Sequence, residues 1–236
     1  MTYEEAVASA PPGWSMFELS DIEKLPAASK ARALTSIPAS ELVAARSGDA
    51  DAGERVRRGL FWTFLYQLRP ELWDALASAE PVHPHALGLI HELGADRGRV
   101  LEIGAGSGRF TRHLASADRL LAVDPSLPLL HLLRTRAPRA SPVAGWAETL
   151  PVVDRWADAT VSCSSVDLDP DVVAEAERVT RPDGLIVAIN PPSGARPGWT
   201  AERFDPDDVR LPERDPWIDR IFGTPVPPSQ VVWRRR

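Results

Sequence analysis

Residues 100–108 read Val-Leu-Glu-Ile-Gly-Ala-Gly-Ser-Gly, and Leu120-Leu121-Ala122-Val123-Asp124 follows one helix length later. The apolar positions Val100, Leu101 and Ile103 predict a buried strand of a parallel sheet. Glycines at 104, 106 and 108 predict a turn whose backbone a ligand can approach. Phe110 and Leu114 stand four apart, which predicts a helix over 109–115 with both on one face. The run 120–123 predicts the next strand, with Asp124 at its carboxyl end, where a carboxylate can accept two hydrogen bonds from a ribose diol. Strand, glycine turn, helix, strand and acid together predict a nucleotide-cofactor site of the doubly wound α/β type.

A dinucleotide fingerprint G-x-G-x-x-G counted from Gly104 needs its third glycine at position 109, which is Arg109. That disfavours an NAD-type Rossmann enzyme. The pattern is instead E-x-G-x-G-x-G, with Glu102 two residues ahead of the first glycine, and it resembles motif I of the class I S-adenosylmethionine-dependent methyltransferases. Ala144-Gly145-Trp146-Ala147-Glu148-Thr149-Leu150-Pro151 is similar to that family's G-D-A-E-x-L-P stretch. Asp158–Ser164 is similar to its fourth strand, and Val179-Thr180-Arg181-Pro182-Asp183-Gly184-Leu185-Ile186-Val187 to its V-L-R-P-G-G-x-L-V. The resemblance covers about residues 86–190. It implies a Rossmann-like, mostly parallel seven-stranded sheet with helices on both faces, and a helical lid at the N-terminus. It implies S-adenosylmethionine as cofactor. Glu102 would orient donors near the methionine amino group. Gly104, Ala105, Gly106 and Gly108 would form the loop beneath ribose and methionine, and Asp124, followed by Pro125 and Ser126, would hold the ribose hydroxyls. Trp146, Ala147, Glu148 and Ser164 would complete the cofactor pocket. Trp146 departs from the family, which carries Asp or Asn there to accept from the adenine amino group. Tryptophan has one N–H donor and no acceptor, so it would stack on the adenine or pack elsewhere, with Glu148 a substitute acceptor.

The 236 residues suffice for one sizeable domain with an appendage, and 44% hydrophobic and 25% charged residues are ordinary for a soluble globule. No apolar run reaches a membrane span, the acidic start Met1–Glu5 lacks a signal-peptide pattern, and one cysteine, Cys163, excludes an internal disulfide. The expectation is a cytoplasmic protein. A net charge of −6 argues against a nucleic-acid footprint, and Arg234-Arg235-Arg236 reads as a solvated tail.

Three regions are expected: residues 1–80, an N-terminal helical lid or appendage; 81–190, the cofactor-binding core; and 191–236, a cover loop over the aperiodic stretch 191–214, then a short helix and the last strand or strands of that same domain. Ser40 is a candidate cap for a short helix over 40–46, and 48–53 reads as a loop. Val56, Leu60, Phe61, Phe64, Leu65 and Leu68 repeat at helical spacing over 54–68, and Pro70 starts another helix. Pro84–Leu93 precedes the first strand and is closed by Gly94. Asp215-Pro216-Trp217 starts a two-turn helix, and 231–233 can be a last strand.

The general base stays open between Asp167, after the fourth strand, and His85, ahead of the core. Asp167 with Asp169 and Asp171 reads equally as a solvated loop and helix cap, and His83 and His85 equally as structural. Asn190-Pro191-Pro192-Ser193 echoes an amino-methylating motif, but Ser193 replaces the stacking aromatic, so the stretch reads as a turn. No metal is implied. The expected function is methyl transfer to an O, N or C atom of a small molecule, with neither nucleic acid nor membrane as partner. The alternative is a methyltransferase-like protein that binds the cofactor or a partner without transfer.

Overall fold

Val100 and Leu101 are wholly buried and Ile103 is nearly so, and these residues make the middle one of five parallel strands. The computed structural model describes residues 10, 13–191, 198–213, 215–222 and 231–235. The strands are β1 (Arg99–Ile103), β2 (Arg119–Asp124), β3 (Ser141–Ala144), β4 (Ala157–Cys163), β5 (Thr180–Ile189), β6 (Thr200–Arg203) and β7 (Val231–Arg235), in the spatial order β3-β2-β1-β4-β5-β7-β6. The strands β3, β2, β1, β4 and β5 are parallel neighbours. The expected seven-stranded, mostly parallel sheet thus has five parallel strands. At the β5 edge, β7 and β6 pair antiparallel. Crossovers between parallel strands put helices on both faces, and the carboxyl ends of β1, β2 and β4 meet on one edge.

The helices are α1 (Ala27–Thr35), α2 (Ala39–Arg46), α3 (Ala50–Leu68), α4 (Pro70–Ala79), α5 (Pro84–Leu93), α6 (Leu127–Arg136), α7 (Pro170–Val179) and α8 (Pro216–Phe222). Those around the sheet start and stop on local signals. Pro84 and Pro170 stand in first turns, Ser126 Oγ caps α6 by accepting from Leu129 N at 3.3 Å, and Gly94 ends α5 in the left-handed region.

The chain forms two compact units, one within residues 1–79 and 213–226, the other within 80–212 and 227–236. The first is built on α3, whose Val56, Leu60, Phe61, Phe64 and Leu65 are completely buried. Its short helix α8, expected with the core, belongs here instead. Phe222 stacks on Trp62 with ring centroids 6.2 Å apart and meets Phe61 edge-on at 6.4 Å. The second unit holds the sheet.

Four local expectations need correction. The helix expected over 109–115 is a single 3-10 turn, Thr111–Leu114, although Phe110 and Leu114 are both buried in the core. Ser40 does not cap α2, which starts one residue earlier behind Pro38. Residues 50–53 are not loop, because Asp49 accepts from Ala52 N at 2.9 Å and starts α3 early. The stretch 191–214, expected to be irregular, contains β6. In the Asn190-Pro191-Pro192-Ser193 stretch, Asn190 ends β5 with φ +51°, while Pro192 and Ser193 lie outside the described residues, as do the acidic start and Arg236.

Candidate active site

Glu102 is the fourth residue of β1 and Asp124 the last of β2. Strand alternation puts Glu102 on the face of Val100, and Asp124 on the face of Ala122, which belong to one hydrophobic cluster. The turn between them is pinned by backbone bonds: Gly104 N and Ala105 N both donate to Val123 O, at 2.8 and 3.1 Å. Gly106 N donates to Asp124 Oδ2 at 2.9 Å, and Ser126 N to Asp124 Oδ1 at 2.8 Å. One carboxylate therefore holds both the glycine turn and the start of α6. Each of its oxygens keeps a lone pair. Gly108 has a packing reason to be glycine: a Cβ there would stand 3.2 Å from Leu133 Cγ of α6, at φ +91°.

Both acids are buried, Glu102 2% and Asp124 8% exposed. Burial pushes Asp124 up to about 6, against its two backbone donors. Burial pushes Glu102 further, to about 8, with neighbouring Thr111 and the Arg109 charge opposing and Asp124 adding to the rise. Among the described residues Glu102 Oε2 has no hydrogen-bond partner.

These values fix a pH dependence. A carboxyl raised on folding contributes stability that is complete below its ordinary value, near 4.5 for Glu102, and lost as pH rises through about 8. We expect the ligand-free chain to lose stability from pH 5 to 8, each such proton contributing a slope of up to about 1.4 kcal/mol per pH unit. Glu102→Gln should flatten the slope in urea unfolding; an unchanged slope would remove Glu102 as its source.

Residues 100–184 match the sequence model of a family described as methyltransferase domain. The chain is 32% identical over 142 residues to an uncharacterized methyltransferase of Mycobacterium tuberculosis, a match covering 57% of each. The stretch 100–184, which holds the glycine turn and both acids, is thus similar to a methyltransferase domain. The chain is also 33% identical over 127 residues to a malonyl-acyl-carrier-protein O-methyltransferase of Methylococcus capsulatus, covering 48% of this chain and 45% of that one. The chain thus spans about half the length of the curated relatives it matches. Similar solved structures include the YcgJ protein of Bacillus subtilis, 26% identical, with a TM-score of 0.42 over 45% of this chain and 50% of that one. A possible histamine N-methyltransferase of Thermotoga maritima is 20% identical, with a TM-score of 0.47 over 73% of this chain and 97% of that one.

Elsewhere in the unit that holds the sheet, Trp146 is half-buried in a turn closed on Thr149, whose N–H donates to Trp146 O at 3.2 Å. Ala147 packs against the cluster of Leu101, Val123 and Leu150, and Glu148 is half-buried. Arg178 of α7 sets the loop that follows, donating to Leu150 O, Val152 O and Asp154 while paired with Glu175. Half-buried Pro125 leads into Ser126, which is buried as the cap of α6. Ser164 ends β4 at φ +52°, its N–H donating to Ile189 O at 2.8 Å. A left-handed non-glycine residue at the carboxyl edge of such a sheet is a conformation found at functional sites.

The two candidate bases have different surroundings. Asp167 is half-buried in the loop after β4 and has no hydrogen-bond partner among the described residues. His85 is exposed in the first turn of α5, its Nδ1 3.8 Å from Asp208 Oδ2. His83 joins these segments: wholly buried, it accepts from His85 N at 3.1 Å and donates from Nε2 to Asp205 O at 2.9 Å, with Phe204 stacked on its ring. Ligand atoms of His83, His85 and Asp208 come within 4.8 Å of one another. Both ring nitrogens of His83 are engaged, so the group forms a hydrogen-bonded clip. Sequence reasoning missed Asp208, which lies in an aperiodic stretch, and used Arg109 only to exclude a dinucleotide.

Proposed function

We propose that this chain transfers a methyl group from S-adenosylmethionine to an O, N or C atom of a small molecule. One observation carries the reading: two buried carboxylates flank the glycine turn, Asp124 aimed by two backbone N–H donors and Glu102 with an unpartnered oxygen. The donor set fits the cofactor. Asp124 would take the ribose hydroxyls on its remaining lone pairs, the backbone of Gly104, Ala105 and Gly106 would pass beneath the ribose, and Glu102 would face the ammonium group. Pro125, Ser126, Gly108, Trp146, Ala147, Glu148 and Ser164 would line the rest. The cofactor supplies an electrophilic sulfonium methyl; the chain binds it, aligns an acceptor and removes a proton where the acceptor carries one. His85 is the favoured base, because Asp208 stands beside Nδ1 and would stabilise an imidazolium formed at Nε2. Asp167 is the second candidate. Trp146, unable to accept from an adenine amino group, favours the alternative, a protein that binds the cofactor without transferring methyl.

Titration calorimetry with S-adenosylmethionine and S-adenosylhomocysteine, followed by transfer of labelled methyl to a panel of carboxylic acids, phenols and amines, separates the readings. Carboxylic acids lead the panel because one relative is named an O-methyltransferase. Micromolar binding of both compounds with label transferred is expected, and His85→Gln should keep the binding and lose the transfer. Binding without transfer selects the alternative; no binding overturns both.

A further inference from the structure

Arg109 follows the glycine turn and is 8% exposed. Its guanidinium donates to Glu80 O at 3.3 Å and to Cys163 O and Sγ, each at 3.4 Å. All three acceptors are neutral, and among the described residues Arg109 forms no salt bridge. A guanidinium stays charged in a protein, and a buried charge is costly without compensation. Beside it lies the mirror-image case, Glu102, a buried carboxyl with one oxygen unpartnered. Glu102 pairs with Val161 across β1 and β4, and Cys163, two residues further along β4, lies on that same face, so the guanidinium bonded to Cys163 stands on the face of the sheet that carries Glu102.

We propose that Arg109 is a positioning residue that sets the charge of Glu102 and thereby tunes the site for the ammonium end of the cofactor, an inference that rests on the function proposed above. Four groups act electrostatically on or with Glu102: Asp124 on β2, Arg109 and Thr111 after the turn, and Cys163 at the end of β4. Burial and Asp124 favour the neutral acid. Arg109 opposes them, from a place fixed by carbonyls ahead of α5 and at the end of β4. A neutral Glu102 offers the ammonium only a dipole; an ionised one offers a charge-assisted hydrogen bond, roughly twice as strong. Removing Arg109 moves Glu102 ionisation to higher pH, and binding of the amino-acid end moves with it.

The test compares S-adenosylhomocysteine with 5′-methylthioadenosine, which keeps adenine, ribose and thioether sulfur but lacks the amino-acid end. Calorimetry on the full chain between pH 6.5 and 9 reads both. Arg109→Met should weaken S-adenosylhomocysteine at least tenfold at pH 7.5, with the loss narrowing toward pH 9, and leave 5′-methylthioadenosine within twofold. Arg109→Lys should restore most of the difference. Parallel weakening of both ligands would make Arg109 a brace for the turn and overturn the proposal, as would unchanged S-adenosylhomocysteine binding. If Arg109→Met does not fold, Glu102→Gln decides: S-adenosylhomocysteine binding must lose its rise above pH 7, and persistence of that rise overturns the proposal. A native chain that binds neither ligand overturns the function reading, and this inference with it; one that binds only 5′-methylthioadenosine overturns this inference alone.

Discussion

Replacing Gly104 by alanine is expected to cost about 3 kcal/mol of unfolding free energy and to abolish cofactor binding. Two effects add. Gly104 holds φ at +71°, a left-handed conformation that costs an L-residue about 1–2 kcal/mol. A Cβ there would also stand 2.5 Å from both Cβ and Oγ of Ser165. A contact with Cβ cannot be relieved by turning a rotamer, and Ser165 Oγ is itself fixed on Ile103 O at 3.0 Å. Overpacking of this kind costs about 1–3 kcal/mol. The turn cannot move away, because Gly104 N is bonded to Val123 O. Adding Ser165→Gly to the alanine variant should recover the overpacking part and leave the dihedral part. Urea unfolding of the two variants measures the split. A Gly104→Ala chain within about 1 kcal/mol of the native one would show that the turn does not approach β4 in this way.

The residues that made this site legible are those whose chemistry and local spacing coincide. Glu102, the glycines and Asp124 lie within one strand–turn–strand unit, so period, turn residues and acid all refer to a contiguous stretch. The parallel strands were legible for a related reason: Leu120–Val123 and Leu185–Ile189 are unbroken apolar runs and Val100–Ile103 is interrupted only by Glu102, as expected of strands covered on both faces. The helix over 109–115 was not, because the Phe110 and Leu114 spacing reports burial on one side, and a 3-10 turn satisfies it as well as an α-helix does. The place of α8 was illegible too. Its partners Phe61 and Trp62 are more than 150 positions away in sequence, and aromatic packing across that distance leaves no periodic trace. Arg109 was read as a missing glycine because its acceptors, Glu80 O and Cys163 O, are backbone atoms that any residue could supply.

Asp124→Ala is expected to weaken S-adenosylhomocysteine at least a hundredfold, about 2.7 kcal/mol, the scale of one or two hydrogen bonds to a charged group. The fold should survive, at reduced stability. Gly106 N and Ser126 N lose their acceptor, which for a buried donor costs about 1–3 kcal/mol each, while removing a carboxyl that burial has pushed up to about 6 offsets part of that loss. Asp124 and Glu102 separate by pH. Affinity for 5′-methylthioadenosine, which meets Asp124 but has no group for Glu102, should rise as pH increases through about 6 and then level, because an ionised Asp124 offers both oxygens as acceptors. Affinity for S-adenosylhomocysteine should rise there and again toward 8, as Glu102 ionises. In Asp124→Asn the lower step should vanish for both ligands while the upper step of S-adenosylhomocysteine remains. One of the two amide-facing contacts is lost at the same time, since a carboxamide accepts from Gly106 N or Ser126 N but not from both. A lower step that persists in the asparagine variant would assign it to another group and take the ribose diol away from Asp124.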